Sequence, residues 1–246
     1  MNLKEFIRYQ VTSVLLEIRG TFKWPEFKNL QSTEQMLEYA ANNLKELGRG
    51  TSRAAFLLSN RFVLKVAIPE AGEKGTGQNR GELSVYTNPA SKGMVTAIQD
   101  ADQQGRWLVS EIARPLSSEE EFQKLTGVSW EQFVSILKNK NTIQDDFQEL
   151  DQGIKIWSRR QQSAQNTGNE AAVQKAANTI QKLNLRKQNL QRMLDSEIVK
   201  GTFALMEQAN VMRGDLLFVD HWGKTADGRV VLLDYGFTKD LADLYS

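Results

Sequence analysis

The sequence predicts an α+β fold: a five-stranded antiparallel sheet with one helix, followed by a mainly helical region that carries a helical hairpin. Two patterns point there. Between residues 47 and 112, apolar runs of strand length alternate with polar turns, and between about 140 and 195, sparse apolar residues recur at helical spacing among Gln, Asn, Lys and Arg. Ahead of both, residues 1–46 read as an N-terminal helical extension.

In that extension Phe6, Ile7, Val11, Val14, Leu15 and Ile18 keep helical spacing, and Met36, Leu37, Tyr39, Ala40, Leu44 and Leu47 form a second amphipathic pattern after Ser32-Thr33-Glu34-Gln35. Trp24-Pro25 marks a turn between them. Such stripes normally pack against their own chain, and the first could alternatively dock a partner.

Polar Ser59-Asn60-Arg61 separates Ala54–Leu58 from Phe62–Ala67, the pattern of a β-hairpin, with Gly48 and Gly50 bending the chain before it. Lys65 interrupts an apolar strand. A buried ammonium is costly unless paired, so Lys65 either reaches solvent from an edge or meets an anion. After a loop from Pro69 to Gly77, a short helix over Asn79–Tyr86 offers Glu82 as that anion. Gly93–Asp100 and Arg106–Ile112 complete the strands around a polar turn.

Ser118–Phe122 and Ser129–Leu137 look like helix starts, the second with Ser129 as N-cap. Val173, Ile180, Leu183, Leu190 and Leu194 recur at coiled-coil spacing, and Gln165–Asn169 breaks the run. A hairpin over about 140–195 follows, either a clamp on the rest of the chain or a surface for dimerisation or a large protein target. Trp222-Gly223 is expected to turn into a last hairpin whose tip is Ala226-Asp227-Gly228.

Four segments then fall in a telling order: Leu47-Gly48-Arg49-Gly50-Thr51, the strand Lys65, the helix Glu82, and Arg213-Gly214-Asp215 with Asp220 five positions on and Asp234-Tyr235-Gly236 after a strand. This order resembles the protein-kinase-like superfamily over roughly Leu47 to Phe237. The resemblance implies a bilobal fold with residues 47–112 as the sheet-bearing lobe and 113–246 as a minimal helical lobe. It implies ATP with Mg²⁺. Lys65 would hold phosphates and Glu82 would position Lys65. Asp215 would orient the acceptor hydroxyl and take its proton, and Asp220 and Asp234 would hold metal. Gly48, Gly50 and Thr51 would line the phosphate turn, and backbone groups near Glu111 would meet the adenine edge.

The departures carry equal weight. Arg53 stands where a third glycine is expected, Asp220 replaces an asparagine, and Arg213-Gly214 is closer to small-molecule kinases. Ten residues follow Gly236, so an activation segment and an Ala-Pro-Glu element are expected to be missing. Compact proteins of this kind are similar to those encoded by tailed bacteriophages. Two functions from different classes remain: a phosphotransferase acting on a hydroxyl, most readily on a protein, and a catalytically inactive pseudokinase that senses nucleotide or serves as a structural interaction protein. His221, the single histidine, suits an orienting role better than proton transfer.

Composition narrows the partners. Lys+Arg 31 against Asp+Glu 30 leaves no basic field for nucleic acid or an anionic membrane. Zero cysteines exclude disulfides and thiolate metal sites. No apolar run approaches a membrane span and the first residues lack signal-peptide features, so a cytoplasmic protein is expected, in host cytoplasm if phage-encoded.

Overall fold

The computed structural model describes residues 22–138 and 140–243. The helix expected around Phe6 to Ile18 lies outside them. The chain divides into two compact units, one reaching to Ser118 and resuming at Ala204, the other spanning Glu119–Phe203. Asp215, Asp220 and Asp234 belong to the same unit as the five-stranded sheet.

That sheet consists of β1 (Lys45–Arg49), β2 (Arg53–Leu57), β3 (Phe62–Ala67), β4 (Ile98–Ala101) and β5 (Trp107–Glu111), all antiparallel in the order β1-β2-β3-β5-β4. Residues 44–47, expected to continue a helix, instead enter β1. Leu44 is extended at the helix end, and Glu46 and Gly48 pair with β2 across a bulge that leaves Leu47 exposed. Backbone pairing with β2 thus outweighs a side-chain pattern whose last leucine has nothing to pack on.

Alternation along the strands sends side chains to two faces. Ala54, Phe56, Leu64, Val66, Trp107 and Val109 are buried beneath helices α1 (Trp24–Lys28) and α2 (Thr33–Asn43), together with Phe27, Met36 and Ala40. Trp107 meets Trp24 edge-on at 5.0 Å, and Ser32 caps α2 through the backbone N–H of Gln35. Fully burying each of these large apolar side chains contributes about 1.5–3 kcal/mol, so this face anchors the sheet. Lys65 projects from the opposite face, between its register neighbours Ala55 and Leu108.

Helix α3 (Glu73–Thr87) lies on that second face and starts six residues earlier than expected. Gly75 and Gly77, which read as loop residues, are buried inside it. Their lack of a side chain serves packing: a Cβ on Gly75 would come within 2.5 Å of the Ser52 carbonyl. The same holds at Gly81, where a Cβ would sit 2.3 Å from the Gly236 carbonyl.

A second, three-stranded sheet joins β6 (Ala113–Pro115), β7 (Trp222–Thr225) and β8 (Val230–Leu232). Trp222-Gly223, expected as a turn, opens β7 instead. Gly223 faces Pro115 in register, and its missing side chain admits Leu233, which a Cβ would meet at 2.6 Å. The turn falls at the expected tip, with Gly228 at φ 90°. Only the last part of the predicted 93–100 strand forms β4, because Met94 and Thr96 hydrogen-bond Leu232 of β8 instead.

The other unit contains α4 (Glu119–Thr126), α5 (Trp130–Lys138), α6 (Lys140–Asn166), α7 (Glu170–Asp195) and the start of α8 (Glu197–Gln208). Phe122, Trp130 and Phe133 pack with ring centroids 4.9–5.4 Å apart, and Ser129 caps α5 by accepting from the Gln132 N–H. α6 and α7 form the expected hairpin around a turn with Gly168 at φ 69°. Its leucine seam is half-buried, closed at one point by Gly153 beneath Leu183 and bridged by Lys187 and Asp151 at 2.6 Å.

Gly81→Ala tests the close approach of α3 to Gly236. Helix propensity alone predicts a gain of about 1 kcal/mol, whereas the contact predicts a loss of about 1–3 kcal/mol in urea unfolding. Gly48→Ala, with nothing within 4 Å of the added carbon, is expected to change stability by less than about 0.5 kcal/mol.

Candidate functional site

The site begins with the position of Lys65 on β3. Its strand is flanked on both sides by hydrogen-bonded partners, so no edge is available for the ammonium. One helical face of α3 brings Glu82 beneath it, fully buried, with Lys65 Nζ 2.8 Å from each carboxylate oxygen. The same ammonium donates to the Leu233 carbonyl at 3.1 Å, immediately before Asp234.

Arg53 enters the same cluster. Its side chain is only 10% exposed, and its guanidinium donates to Glu82 at 2.6 Å, Asn79 at 3.3 Å and Asp234 at 2.9 Å. Burial opposes its charge, yet the carboxylates of Glu82 and Asp234 more than offset this, and its pKa is raised further. Asp234 is 55% exposed at its side chain. Partial burial pushes its carboxyl up, but Arg53 first and Lys65 second hold it below the ordinary carboxylate value.

Asp234 is fixed by its neighbours in the chain. Tyr235 is fully buried and its hydroxyl donates to the Thr96 carbonyl at 2.8 Å, while Gly236 abuts α3. Burial, then the Glu82 charge, keeps the phenol protonated to well above its ordinary pKa. Asp215 lies in a short 3₁₀ turn (Arg213–Leu217) and is half-buried. His221 Nδ1 donates to the Asp215 carbonyl at 2.8 Å, and the His221 carbonyl accepts from the Leu233 N–H at 2.8 Å. His221 thus links the Asp215 turn, through its ring, to the strand ahead of Asp234, through its backbone carbonyl. Burial, then the nearby Asp234 charge, raises the Asp215 carboxyl to about 6, against a smaller opposing effect of His221.

A cavity of about 360 Å³ is lined by Gly48, Gly50, Thr51, Arg53, Lys65 and Asp234, with Ser52, Gln78 and Leu233 among its walls. Gly50 N–H donates to the Arg53 carbonyl at 2.9 Å, closing the turn between β1 and β2. Gly48 lies within β1 at the bulge rather than in the turn itself.

Two expected positions, Glu111 and Asp220, have surroundings the sequence did not show. The Glu111 side chain pairs with Arg229 at 2.9 Å through both oxygens, and its N–H, one of the backbone groups expected to meet an adenine edge, donates to the Ala97 carbonyl at 2.7 Å. The N–H of Ile112 is likewise taken by Arg61. Backbone donors at this point are therefore engaged in the fold. Asp220 is exposed. Among the described residues, no three His, Cys, Asp or Glu side chains are grouped to hold a metal ion. The Arg53 guanidinium already holds one oxygen of Asp234, which disfavours a divalent ion there.

Arg53 is the residue whose importance sequence reasoning missed. Its signal was present as the basic side chain in place of a glycine. What could not be read was that β2 starts at Arg53 and aims it inward.

No protein-family model and no curated protein matches the chain. Among solved structures it is similar to the streptomycin-ATP-APH(2")-IIa ternary complex, at 13% identity over 57% of this chain and 38% of that one, with a TM-score of 0.28. The chain thus spans well under half of that protein's length. Overlap at this level carries no argument, and the functional reading rests on the side chains. No described helix is long and apolar enough to cross a membrane.

Asp215 is expected to titrate near pH 6 by carboxyl-detected NMR. Asp234→Asn removes a like charge and is expected to lower that midpoint; an unchanged or higher midpoint would separate the two carboxylates. A raised carboxyl favours its protonated form in the fold. Its stabilising contribution is therefore present below its unfolded value near 3.8 and is lost as pH rises through about 6.

Proposed function

We propose that this protein is a kinase-like phosphotransferase that binds ATP and transfers its γ-phosphoryl group to a hydroxyl. The observation that carries this reading is the convergence of Lys65 and Asp234 on one cavity under a glycine turn, with the buried Glu82 holding Lys65 from behind. Glu82 is a positioning residue that holds Lys65 against the cavity. Gly50 and Thr51 offer backbone and hydroxyl donors to phosphate oxygens.

Asp215 supplies the base. At neutral pH it is largely ionised, yet basic enough to take a proton. It would orient the acceptor hydroxyl and accept its proton while the oxygen bonds to the γ-phosphorus. The bond from that phosphorus to the β,γ-bridging oxygen breaks, and ADP leaves. A protein is the acceptor we favour, with the α6–α7 hairpin as the surface that engages it. The cytoplasm, of a host cell if the protein is phage-encoded, would supply both.

One observation favours a second reading, a pseudokinase that binds nucleotide without turnover: Arg53 occupies the carboxylate that kinases reserve for metal. Incubation with γ-labelled ATP, with Mg²⁺ and with chelator, distinguishes the two. Phosphotransferase activity predicts label transfer or ATP turnover that falls about a hundredfold or more in Asp215→Asn and in Lys65→Met. Binding without turnover supports the pseudokinase. Absence of any thermal shift would overturn both, because saturation to about a hundredfold over Kd stabilises a fold by about 2.7 kcal/mol.

A further inference from the structure

The cations of the cleft differ in what they have left to offer. Lys65 has three N–H bonds and three acceptors around it, two Glu82 oxygens and the Leu233 carbonyl. Its ammonium reaches a ligand only by sharing or giving up one of these acceptors. Arg53 has five N–H bonds, of which Glu82, Asn79 and Asp234 take three. Its Nε–H and one Nη2–H have no partner among the described residues, and Arg53 is among the residues that line the cavity.

We propose that Arg53 is the anion-binding cation of this cleft and holds nucleotide phosphate oxygens without a divalent ion at Asp234, whose carboxylate positions the guanidinium. This deepens the nucleotide reading above and rests on it. The charges of Lys65, Arg53, Glu82 and Asp234 sum to zero. With glycine at position 53 the same four positions would be net negative and would disfavour a phosphate that came without a metal ion. Arg53 neutralises that charge. A divalent ion at Asp234 would also face the guanidinium at close range, and like charges so near each other in a partly buried site repel strongly.

The position is built for the task. Arg53 begins β2 opposite Ala67, and its carbonyl closes the turn with Gly50. Glu82 and Asn79, both buried on α3, hold one end of the fork in place. A planar fork so fixed suits two oxygens of one phosphate, and little side-chain freedom is left to lose on binding.

The test is calorimetric titration of the full chain with ATP, in Mg²⁺ and in EDTA, for wild type, Arg53→Gly and Asp234→Asn, with circular dichroism to confirm folding. Wild-type affinity is expected to differ less than about threefold between the two conditions. Arg53→Gly is expected to lose about tenfold or more in EDTA and to regain affinity with Mg²⁺. Asp234→Asn is expected to bind in EDTA as well as or more tightly than wild type. Should Arg53→Gly fail to fold, Asp234→Asn in Mg²⁺ still decides: a metal ligand at that position predicts binding weaker than wild type, whereas Arg53 as the anion-binding cation predicts no loss. Wild-type binding that needs Mg²⁺ overturns the inference and leaves the nucleotide reading standing. No binding of ATP in either condition overturns both.

Discussion

The buried carboxylate of Glu82 is the constraint on which the rest of the sheet-bearing unit depends. It is fully enclosed and accepts from two cations, Lys65 of β3 and Arg53 of β2. A lone carboxylate in that position would be strongly unfavourable, and so would either cation without it. The three groups therefore fix the helix against the sheet at a defined register. Asp234 enters the same network through Arg53, which ties the end of the chain to the β1–β2 turn.

Packing on the two sheet faces complements this arrangement. Aromatic and aliphatic burial under α1 and α2 supplies a non-directional anchor, which fixes the sheet and specifies no chemistry. The opposite face carries charge and close backbone approach instead. Glycines at 75, 81 and 236 let α3, the β1–β2 turn and the Asp-Tyr-Gly segment touch without intervening side chains. A helix with this many glycines is weak by propensity, so tertiary contact must hold it. The Glu82 ion pairs supply that contact.

Much of this was legible in the chain, and the reasons differ by element. The β2–β3 hairpin, the Lys65–Glu82 pairing and the α6–α7 turn follow from local patterns: strand runs around a polar turn, a cation in an apolar strand, a glycine between helical repeats. The start of α3 was not legible, since glycine reads as loop and only its contact with the Ser52 carbonyl explains the helix. Leu44 and Leu47 continued a helical spacing by coincidence, and strand pairing overrode it. The pairing of the Glu111 side chain with Arg229 and the exposure of Asp220 were not legible either. Spacing places a residue on the chain; it does not reveal which neighbour reaches it first.

Glu82→Gln in urea unfolding addresses the central claim most directly, because it preserves shape and removes the one charge that both cations share. Breaking a buried ion pair from one side costs about 3–5 kcal/mol, and a loss in that range is the predicted result. A change of less than about 1 kcal/mol, typical of exposed ion pairs, would show that Glu82 does not hold Lys65 and Arg53 together in solution.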